Sequence, residues 1–334
     1  NSVFYDGRVK CRGYRTCNVC PVDARWTPLG TVLRKCYDYP TIEFMTRAPV
    51  VFVELGQNAE ILSLKCMTTS GEISLKAKIY VIAANAIETP RILLNSSQPG
   101  AKKGIANSTG LVGKNYMGHP HMDWAFNINE NVFGGRGPRH TSNCMKFINH
   151  PRRNKAAAFN IHYLRDNLPD ITFDTDKWGA ELINDVQHRA DNYLSMGCCF
   201  EMLPDKKNYI TLDKERDDLG LRTAIINYYM TDYTQEGVKL FKKYMRDVFK
   251  RVGITEYSNP CVHRDGGHWM GSTKMGFNKK DSVTDSFGRC WDHHNLFISG
   301  ASLFPTSTPF NPIETSVALA YRTSEEIIDR KSVV

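Results

Sequence analysis

The stretch "NLFISGASLFPTSTPFNPIETSVALAYRTSEEII", residues 295–328, predicts a strand, a loop and a long helix in direct succession. Residues 295–301 form a short apolar run that ends in Gly-Ala, which favours a strand. Residues 302–312 are rich in proline and hydroxyl side chains, which favours a loop. Pro312 suits the first turn of a helix, and the helix is expected to continue over 313–328.

A second series of short strands precedes a helix nearer the N-terminus. Turn signals at 56–58 and 70–71 separate apolar runs and predict a small meander, which leads into a further strand at 79–83. The three runs are "VVFVEL" (50–55), "EILSLKC" (60–66) and "EISLKAKIYVIAA" (72–84). A helix is expected next, with Thr89 as its N-cap and Pro90 in its first turn.

The middle of the chain has a weaker pattern. Residues 120–230 mix aromatic and charged side chains, and we expect an antiparallel sheet with long excursions. Residues 234–252 predict an amphipathic helix with a basic outer face, which ends at Gly253. No internal repeat is present in the sequence.

Composition sets limits on the class of protein. The chain has 334 residues, 41% of them apolar and 23% charged, as in an ordinary globular protein. The net charge of +8 is spread along the chain, which favours a solvated surface over nucleic-acid binding; a redox partner or membrane head groups could use the same charge. The N-terminus, "NSVFYDGRVK", lacks an apolar signal segment and an initiator Met, so we expect the chain to begin inside a longer protein.

Three of the ten cysteines lie close together in "CRGYRTCNVCP", residues 11–21. Cys11, Cys17 and Cys20 raise four alternatives: a disulfide patch, a zinc site, a redox dithiol or an iron–sulfur cluster. A chain with a large core has little need of a disulfide framework, and zinc would need a fourth ligand, for which only Cys36 is near. A dithiol at Cys17 and Cys20 would leave Cys11 without a role. Three cysteines before a proline suit a cluster with three thiolate ligands, although the spacing alone favours none of the four strongly.

The other cysteines are scattered. We expect them to act as buried small hydrophobic residues; they are Cys66, Cys144, Cys198, Cys199, Cys261 and Cys290.

A phosphate-binding loop of the G-x-G-x-x-G type is absent from the sequence. The nearest match, "FGGRGPRH" at 133–140, has Pro138 where a helix should begin and no strand pattern before it. Any dinucleotide site must therefore be completed by sequence outside this chain.

Two segments near the C-terminus carry residues suited to chemistry: "GGHWMGSTKMG" (266–276) and "TPFNPIETS" (308–316). His268 lies among glycines, which allow the backbone to approach a flat ligand closely. Asn311 and Pro312 open the last helix, whose free N–H groups suit an anion that develops on a ligand.

Four motifs occur in one order along the chain: "AANAIETPRILLNS" (83–96), "LVGKNYMGHP" (111–120), "HWMGSTKMG" (268–276) and the segment 282–327. Together they resemble the C-terminal two-thirds of a glucose–methanol–choline (GMC) flavin oxidoreductase, with the weakest likeness across 121–260. The resemblance implies an α/β (α+β) bipartite fold. An incomplete Rossmann-like FAD-binding domain would be joined to a substrate domain with an antiparallel sheet.

The same resemblance implies a division of the chain. Residues 1–40 would be a cysteine-rich, cluster-binding segment and 41–120 a portion of the FAD domain. Residues 121–260 would be the substrate domain, and 261–334 the catalytic motif and the return to the FAD domain.

Site residues follow from the resemblance position by position. His268 would be the general base that takes the hydroxyl proton of an alcohol, and Asn311 its partner, while a hydride passes to flavin N5. The FAD contacts would be Val50, Ala83, Ala84, Gly300, Ala301, Asn311, Pro312 and Ile313. Gly300 departs from the Asp usual in the family, and Val50, Ala83 and Ala84 have core strand packing as their alternative role.

Other histidines have weaker assignments. His119 and His121 flank a proline in a family loop near the flavin, and His293 and His294 are expected in a loop. A zinc site from His263 and His268 is compatible with their spacing but weakly indicated.

A subgroup of the family has a cysteine run at the same place and continues with C-P-x-x-A, as in "CPVDA" here. These are bacterial membrane-associated sugar and polyol dehydrogenases with a [3Fe–4S] cluster, although their second gap is three residues and here it is two. The likeness implies that Cys11, Cys17 and Cys20 hold a cluster that passes electrons to a haem c partner. It also implies a small accessory subunit and a periplasmic, membrane-associated location through the partners.

The expected function is an FAD-dependent dehydrogenase that oxidises a hydroxyl of a sugar, glycoside or sugar alcohol. The alternatives are a glucoside 3-dehydrogenase, a cluster-free enzyme like a pyranose oxidase, and a non-catalytic binding subunit with the same fold.

Overall fold

The computed structural model describes residues 3–13, 20–131, 140–164, 176–255, 257–258, 260–263 and 267–331. The described strands are β1 (Val50–Leu55), β2 (Ile61–Thr68), β3 (Gly71–Leu75), β4 (Tyr80–Ile82), β5 (His121–Asn127), β6 (His140–Cys144), β7 (Phe159–Leu164), β8 (Tyr193–Phe200), β9 (Tyr209–Arg216), β10 (Arg222–Asn227), β11 (Cys261–His263) and β12 (Leu296–Ile298). The described α-helices are α1 (Arg34–Cys36), α2 (Asn85–Asn95), α3 (Gly179–Asn192), α4 (Asp232–Arg251) and α5 (Ile313–Lys331). The mixture of helices with antiparallel and parallel strands confirms the α/β class.

Strands from the two ends of the sequence meet in one parallel pair. β1, β2 and β3 form the predicted antiparallel meander, and the next strand, β4, pairs in parallel with β12. The register aligns Tyr80 with Leu296 and Ile82 with Ile298, and Ser299 N–H donates to the Ile82 carbonyl at 3.0 Å. Both strands therefore end at the same edge, and both predictions of a strand followed by a loop or helix are confirmed.

Helix α2 begins four residues before the predicted N-cap Thr89. The Asn85 side chain accepts from the backbone N–H groups of Ile87 and Glu88 at 2.8 and 3.1 Å, so Asn85 caps the helix instead. Pro90 consequently lies inside the helix rather than in its first turn, and the prediction for these two residues is wrong.

Pro90 has no N–H to give to the carbonyl of Ala86, one turn earlier. That carbonyl accepts instead from the buried Ser272 hydroxyl at 2.7 Å. A hydrogen bond from Ser272 thus replaces the missing backbone bond of the helix and connects α2 to the segment that carries His268.

The five-stranded sheet has the order β11-β5-β8-β7-β6 and is antiparallel throughout, as predicted for this part of the chain. One face packs against α4, which begins at Asp232 after the capping residue Thr231 and ends at Arg251. The apolar cluster between them includes Trp124, Phe159, Phe200, Phe241, Met245 and Phe249. Helix α3 was not predicted.

A second apolar cluster joins β1, β2, α2 and the parallel pair, and includes Val53, Ile82, Leu93 and Ile298. A smaller one consists of Met117, Met202, Met270 and Phe304 and includes residues of the loops described next. No helix in the described part of the chain is long and apolar enough to cross a membrane.

Candidate active site

Three loops lie side by side between the parallel strand pair and the five-stranded sheet. Met117 and Met270 exchange backbone hydrogen bonds of 2.9 and 2.8 Å, and His119 N–H donates to the Gly267 carbonyl at 3.0 Å. On its other side the same loop donates from Gly271 to the Ala301 carbonyl at 3.0 Å. The segment 267–275 is therefore held between the loop before β5 and the loop after β12.

The segment 267–275 requires glycine at position 271. A Cβ at Gly271 would lie 2.1 Å from the carbonyl oxygen of Asn115, and the residue has φ +72°. Only glycine combines that close approach with a left-handed conformation. The close contact fixes the distance between the two loops that carry His119 and His268.

The His119 and His268 rings face each other. Their Nδ1 atoms lie 3.0 Å apart, so one proton is shared between them, and the rings meet edge to face. His119 is fully buried and His268 is half-buried with φ +52°. Burial first, and then the charge of His268, lowers the pKa of His119 to about 3. His119 therefore stays neutral at physiological pH.

Cys199 completes a group with these two histidines. One potential ligand atom from each of His119, Cys199 and His268 lies within 4.8 Å of the others. Cys199 lies on β8 directly opposite His121 of β5 and Asn160 of β7. Burial first, and then the Asp123 carboxylate, raises the pKa of the Cys199 thiol to about 12.

The sheet face that carries Cys199 is polar, although much of it is buried. Alternate residues of a strand point to opposite faces, and cross-strand partners share a face. The register therefore places a row of polar side chains on the face opposite α4, among them His121, Asp123, Asn160, His162, Ser195 and Cys199.

Several of these polar atoms are oriented by neighbours. His121 Nε2 lies 3.4 Å from an Asp123 carboxylate oxygen, and His162 Nδ1 lies 2.9 Å from Asn143 Oδ1. Within the described residues, Asn160 Oδ1 is buried and has no hydrogen-bond partner. Because an unpaired buried polar atom is costly, this atom indicates a ligand or water at the polar face.

Asn311 lies two residues before α5, and its side chain is exposed. Pro312 is half-buried, and Ile313 begins the helix as predicted. The His268 ring contacts that of His119, and the pairing of His268 with Asn311 stays a prediction.

The predicted FAD contacts gather at one edge of the parallel pair. Ala83 and Ala84 follow β4, and Gly300 and Ala301 follow β12, at the carboxyl ends where dinucleotides bind in such sheets. Ala83 is exposed, and a Cβ at Gly300, which has φ +103°, would meet no atom of the described chain within 4 Å. This open edge fits a bound FAD. Val50 begins β1 and packs against the apolar cluster, as in its alternative role.

The N-terminal cysteines are partly described. Cys11 is exposed and its sulfur accepts from the Gly13 N–H at 3.4 Å, while Cys20 is half-buried. Hydrogen bonds from the backbone of Val22 and then Arg25 lower the pKa of the Cys20 thiol. Cys17 lies outside the described residues. The two described cysteines thus have the N–H···S contacts that a thiolate ligand accepts.

The scattered cysteines differ in burial and in the face of the sheet on which they lie. Cys66, Cys198 and Cys290 are buried as predicted, and Cys198 and Cys290 belong to apolar clusters. Cys199 is also buried, but on the polar face, and Cys144 is half-buried at the edge of the sheet. The Cys261 side chain lies outside the described residues, as does that of His263, so the weak zinc prediction is untested.

His293 and His294 have structural roles in the loop before β12. His293 is buried, its Nδ1 lies 2.7 Å from the Ala59 carbonyl oxygen, and its Nε2 accepts from Ala106 N–H at 3.1 Å. His294 is exposed and lies 3.0 Å from Glu60.

Sequence reasoning missed the roles of His119 and Cys199. The sequence places His119 far from His268, and only the backbone pairing of the two loops brings them together. Cys199 could have been assigned to the face opposite Cys198 from strand alternation, had β8 been located.

Comparisons with known proteins agree on one family. Two family models described as GMC oxidoreductase match residues 6–121 and 204–320, which together exceed half of the chain. The chain is 28% identical to the fructose dehydrogenase large subunit of Gluconobacter japonicus, over 98% of this chain and 61% of the relative. It is 31% identical to 2-methyl-1,2-propanediol dehydrogenase of Mycolicibacterium austroafricanum, over 79% of this chain and 50% of the relative.

Solved structures show the same fold. Formate oxidase of Aspergillus oryzae matches with a TM-score of 0.64 at 13% identity, over 86% of this chain and 61% of that one. Pyridoxine 4-oxidase of Mesorbium loti matches with a TM-score of 0.58 at 16% identity, over 84% of this chain and 57% of that one. The chain thus spans about half to three-fifths of the length of these relatives. It belongs to the GMC oxidoreductase family.

Proposed function

We propose that the protein is part of an FAD-dependent dehydrogenase that oxidises a hydroxyl group of a sugar, glycoside or sugar alcohol. The observation that supports this most directly is the position of the His119–His268 pair beside the polar face of the five-stranded sheet. A base and a set of hydrogen-bonding groups thus lie at one place, next to the edge that fits FAD. The two relatives named as dehydrogenases agree with this proposal.

His268 would take the hydroxyl proton. Its Nδ1 lies 3.0 Å from His119 Nδ1, so we assign the proton transfer from the substrate to Nε2. Because burial lowers the pKa of His119 to about 3, its Nδ1 would accept a hydrogen bond from the Nδ1–H of His268 without taking the proton, and His268 would hold the proton gained from the substrate. Asn311, from the start of α5, would hold the substrate oxygen. FAD, when bound, accepts the hydride at flavin N5.

The polar face would select a substrate with several hydroxyl groups. Two side chains offer hydrogen-bond acceptors: Asp123 and Asn160, whose buried oxygen is unpaired. His162 and Cys199 can donate or accept a hydrogen bond, depending on which of their atoms carries a proton. A simple aliphatic alcohol would leave the buried Asn160 oxygen without a partner, at a cost of about 1–3 kcal/mol. A glucoside, an aldose, gluconate or a polyol would pair this oxygen.

Electrons would leave through an iron–sulfur cluster held by Cys11, Cys17 and Cys20. The lowered pKa of Cys20 and the N–H···S contact of Cys11 support thiolate ligation at these positions. Such a cluster transfers single electrons to an external acceptor. We propose a haem c protein as that acceptor, a small accessory subunit and a periplasmic, membrane-associated location; the relative named as a large subunit supports an assembly of several chains.

The test is rapid-mixing reduction of the flavin by a panel of sugars and polyols, with the full-length, FAD-loaded protein. His268→Ala should retain FAD and slow flavin reduction by about 10²–10⁴-fold, the contribution of a positioned base. Loss of FAD from this variant would instead indicate a structural role for His268. His188→Ala, on the exposed surface of α3, is the matched control and should reduce at the normal rate.

Two further measurements separate the alternatives. Iron and acid-labile sulfide analysis of the purified protein should find both, and their absence would leave a cluster-free oxidase as the better description. Absence of flavin from the purified assembly would favour the non-catalytic binding subunit.

A further inference from the structure

The group formed by His119, Cys199 and His268 has the ligand types of a transition-metal site. Two imidazoles and one thiol bring potential ligand atoms within 4.8 Å of one another. In a tetrahedral zinc site, bonds of about 2.0–2.3 Å separate neighbouring nitrogen and sulfur ligands by about 3.3–3.7 Å. The outer limit of 4.8 Å exceeds this spacing by about 1 Å, so binding requires the three side chains to adjust, and the two histidine Nδ1 atoms at 3.0 Å would need to separate by a few tenths of an ångström.

The surroundings of the group favour binding over a chance approach. His119 is fully buried and His268 is held by the backbone pairing of its loop, so both are largely preorganised. The pKa of His119, lowered to about 3, leaves its imidazole neutral, which is the form that binds metals. His119 Nε2 is also buried.

We infer that His119, Cys199 and His268 form a binding site for a soft divalent metal ion such as Zn²⁺, which inhibits the enzyme by occupying its base. The fourth position would be left to water or to a substrate oxygen. Hard cations such as Mg²⁺ and Ca²⁺ prefer oxygen ligands and would not bind to this group.

Binding requires the loss of one proton from Cys199. The sulfur–hydrogen bond breaks, a zinc–sulfur bond forms and the proton passes to the buffer, with no change of oxidation state. The Asp123 carboxylate acts on Cys199, and the backbone of Thr308 and the rings of His268, His162 and His121 act on His119.

The inhibitory part of this inference rests on the proposed function, because His268 is the proposed base. The binding part does not, and it can be measured without substrate. Failure of one is therefore distinguishable from failure of the other.

The experiment is titration of the full-length, FAD-loaded protein with Co²⁺, which gives an ultraviolet thiolate-to-cobalt charge-transfer band when a cysteine is a ligand. We expect one such site, displaced by Zn²⁺ and unaffected by Mg²⁺. Cys199→Ser should lose the band and weaken Co²⁺ binding by at least about a hundredfold. Cys198→Ser is the matched control, because its side chain faces the apolar cluster on the opposite face, and it should retain the band. Flavin absorbance confirms folding of both variants.

Persistence of the band in Cys199→Ser would place the metal elsewhere, for example at the N-terminal cysteines, and would overturn the inference. So would absence of the band in the parent protein. For inhibition, Zn²⁺ should slow flavin reduction in the parent and be reversed by a chelator. In Cys199→Ser, measured against its own zinc-free rate, the same Zn²⁺ concentration should have little effect. Binding of Zn²⁺ without inhibition would leave the metal site standing but would contradict the role of His268 as the base.

Discussion

The Nδ1 atoms of His119 and His268 lie 3.0 Å apart across two loops that the sequence separates by 149 positions. The partner of the candidate base is thus a second histidine, which burial keeps neutral. The pair can hold a proton between its rings, and this arrangement has consequences for stability as well as for chemistry.

His119 should make the protein acid-sensitive. Its pKa is about 3 in the folded protein, whereas an imidazole in the unfolded chain has a pKa of about 6.5. Between these values the unfolded chain binds more protons, so the free energy of unfolding falls as pH is lowered, by about 1.4 kcal/mol per pH unit for this residue. Urea unfolding of His119→Gln from neutral to acid pH should show a slope shallower by that amount. His188→Gln, exposed on α3, should follow the parent, and an unchanged slope for His119→Gln would contradict the buried neutral ring.

The bond from Ser272 to Ala86 should depend on Pro90. Ser272→Ala leaves the Ala86 carbonyl unpaired and buried, which should lower the free energy of unfolding by about 1–3 kcal/mol. Pro90→Ala restores an N–H one turn after Ala86, so the same serine substitution should cost much less in that background. A double-mutant cycle by urea unfolding measures the difference. Equal costs in the two backgrounds would show that the serine hydroxyl does not replace the missing helix bond.

Gly300 should be needed for FAD binding. At φ +103° a side chain is strained by about 1–3 kcal/mol, and its Cβ would project into the space at the carboxyl edge of β4 and β12. Gly300→Ala should therefore weaken FAD retention, measured by release of flavin during dilution or mild denaturation. Gly220→Ala is the control: it has φ +76° in the β9–β10 turn with open space around it. It should lower stability without selective loss of FAD, and equal loss in both variants would remove the assignment of Gly300.

Cys20 should react as a thiolate at lower pH than an unperturbed cysteine. Backbone hydrogen bonds from Val22 and Arg25 lower its pKa in the folded protein. In cluster-free protein, the rate of alkylation of Cys20 by iodoacetamide, followed by peptide mass spectrometry against pH, should therefore have a lower midpoint than in urea-unfolded protein. Coincident midpoints would argue against a preformed thiolate position. Protection of Cys20 in iron-containing protein would support its role as a ligand.

Elements with a strong local pattern could be predicted from the sequence. The meander, β12, α4 and α5 were located because apolar alternation, helical periodicity and proline positions act over a few residues. The start of α2 was wrong because the prediction gave Thr89 and Pro90 their usual positions. In the structure Asn85 caps the helix instead. The Ala86 carbonyl, which Pro90 cannot pair, accepts a hydrogen bond from the Ser272 hydroxyl.

The residues of the candidate site also differ in whether a local sequence pattern marks them. His268 and the residues after β4 and β12 were predicted because family motifs mark them. His119 and Cys199 were not, because their roles arise from contacts between segments far apart in the chain. Such contacts leave no short-range pattern that spacing or composition could disclose.

The alternation of β7 and β8 also affects how this enzyme can change during evolution. One face of these strands packs against α4 through Phe159, Ile161, Cys198 and Phe200. The alternating residues Asn160, His162 and Cys199 lie on the opposite, polar face of the sheet. Substitutions at the second set change the polar face without removing a contact that holds the helix. If the proposed function is correct, single-residue changes in these two strands can alter substrate preference, whereas an insertion or deletion of one residue would exchange the two sets and lose both.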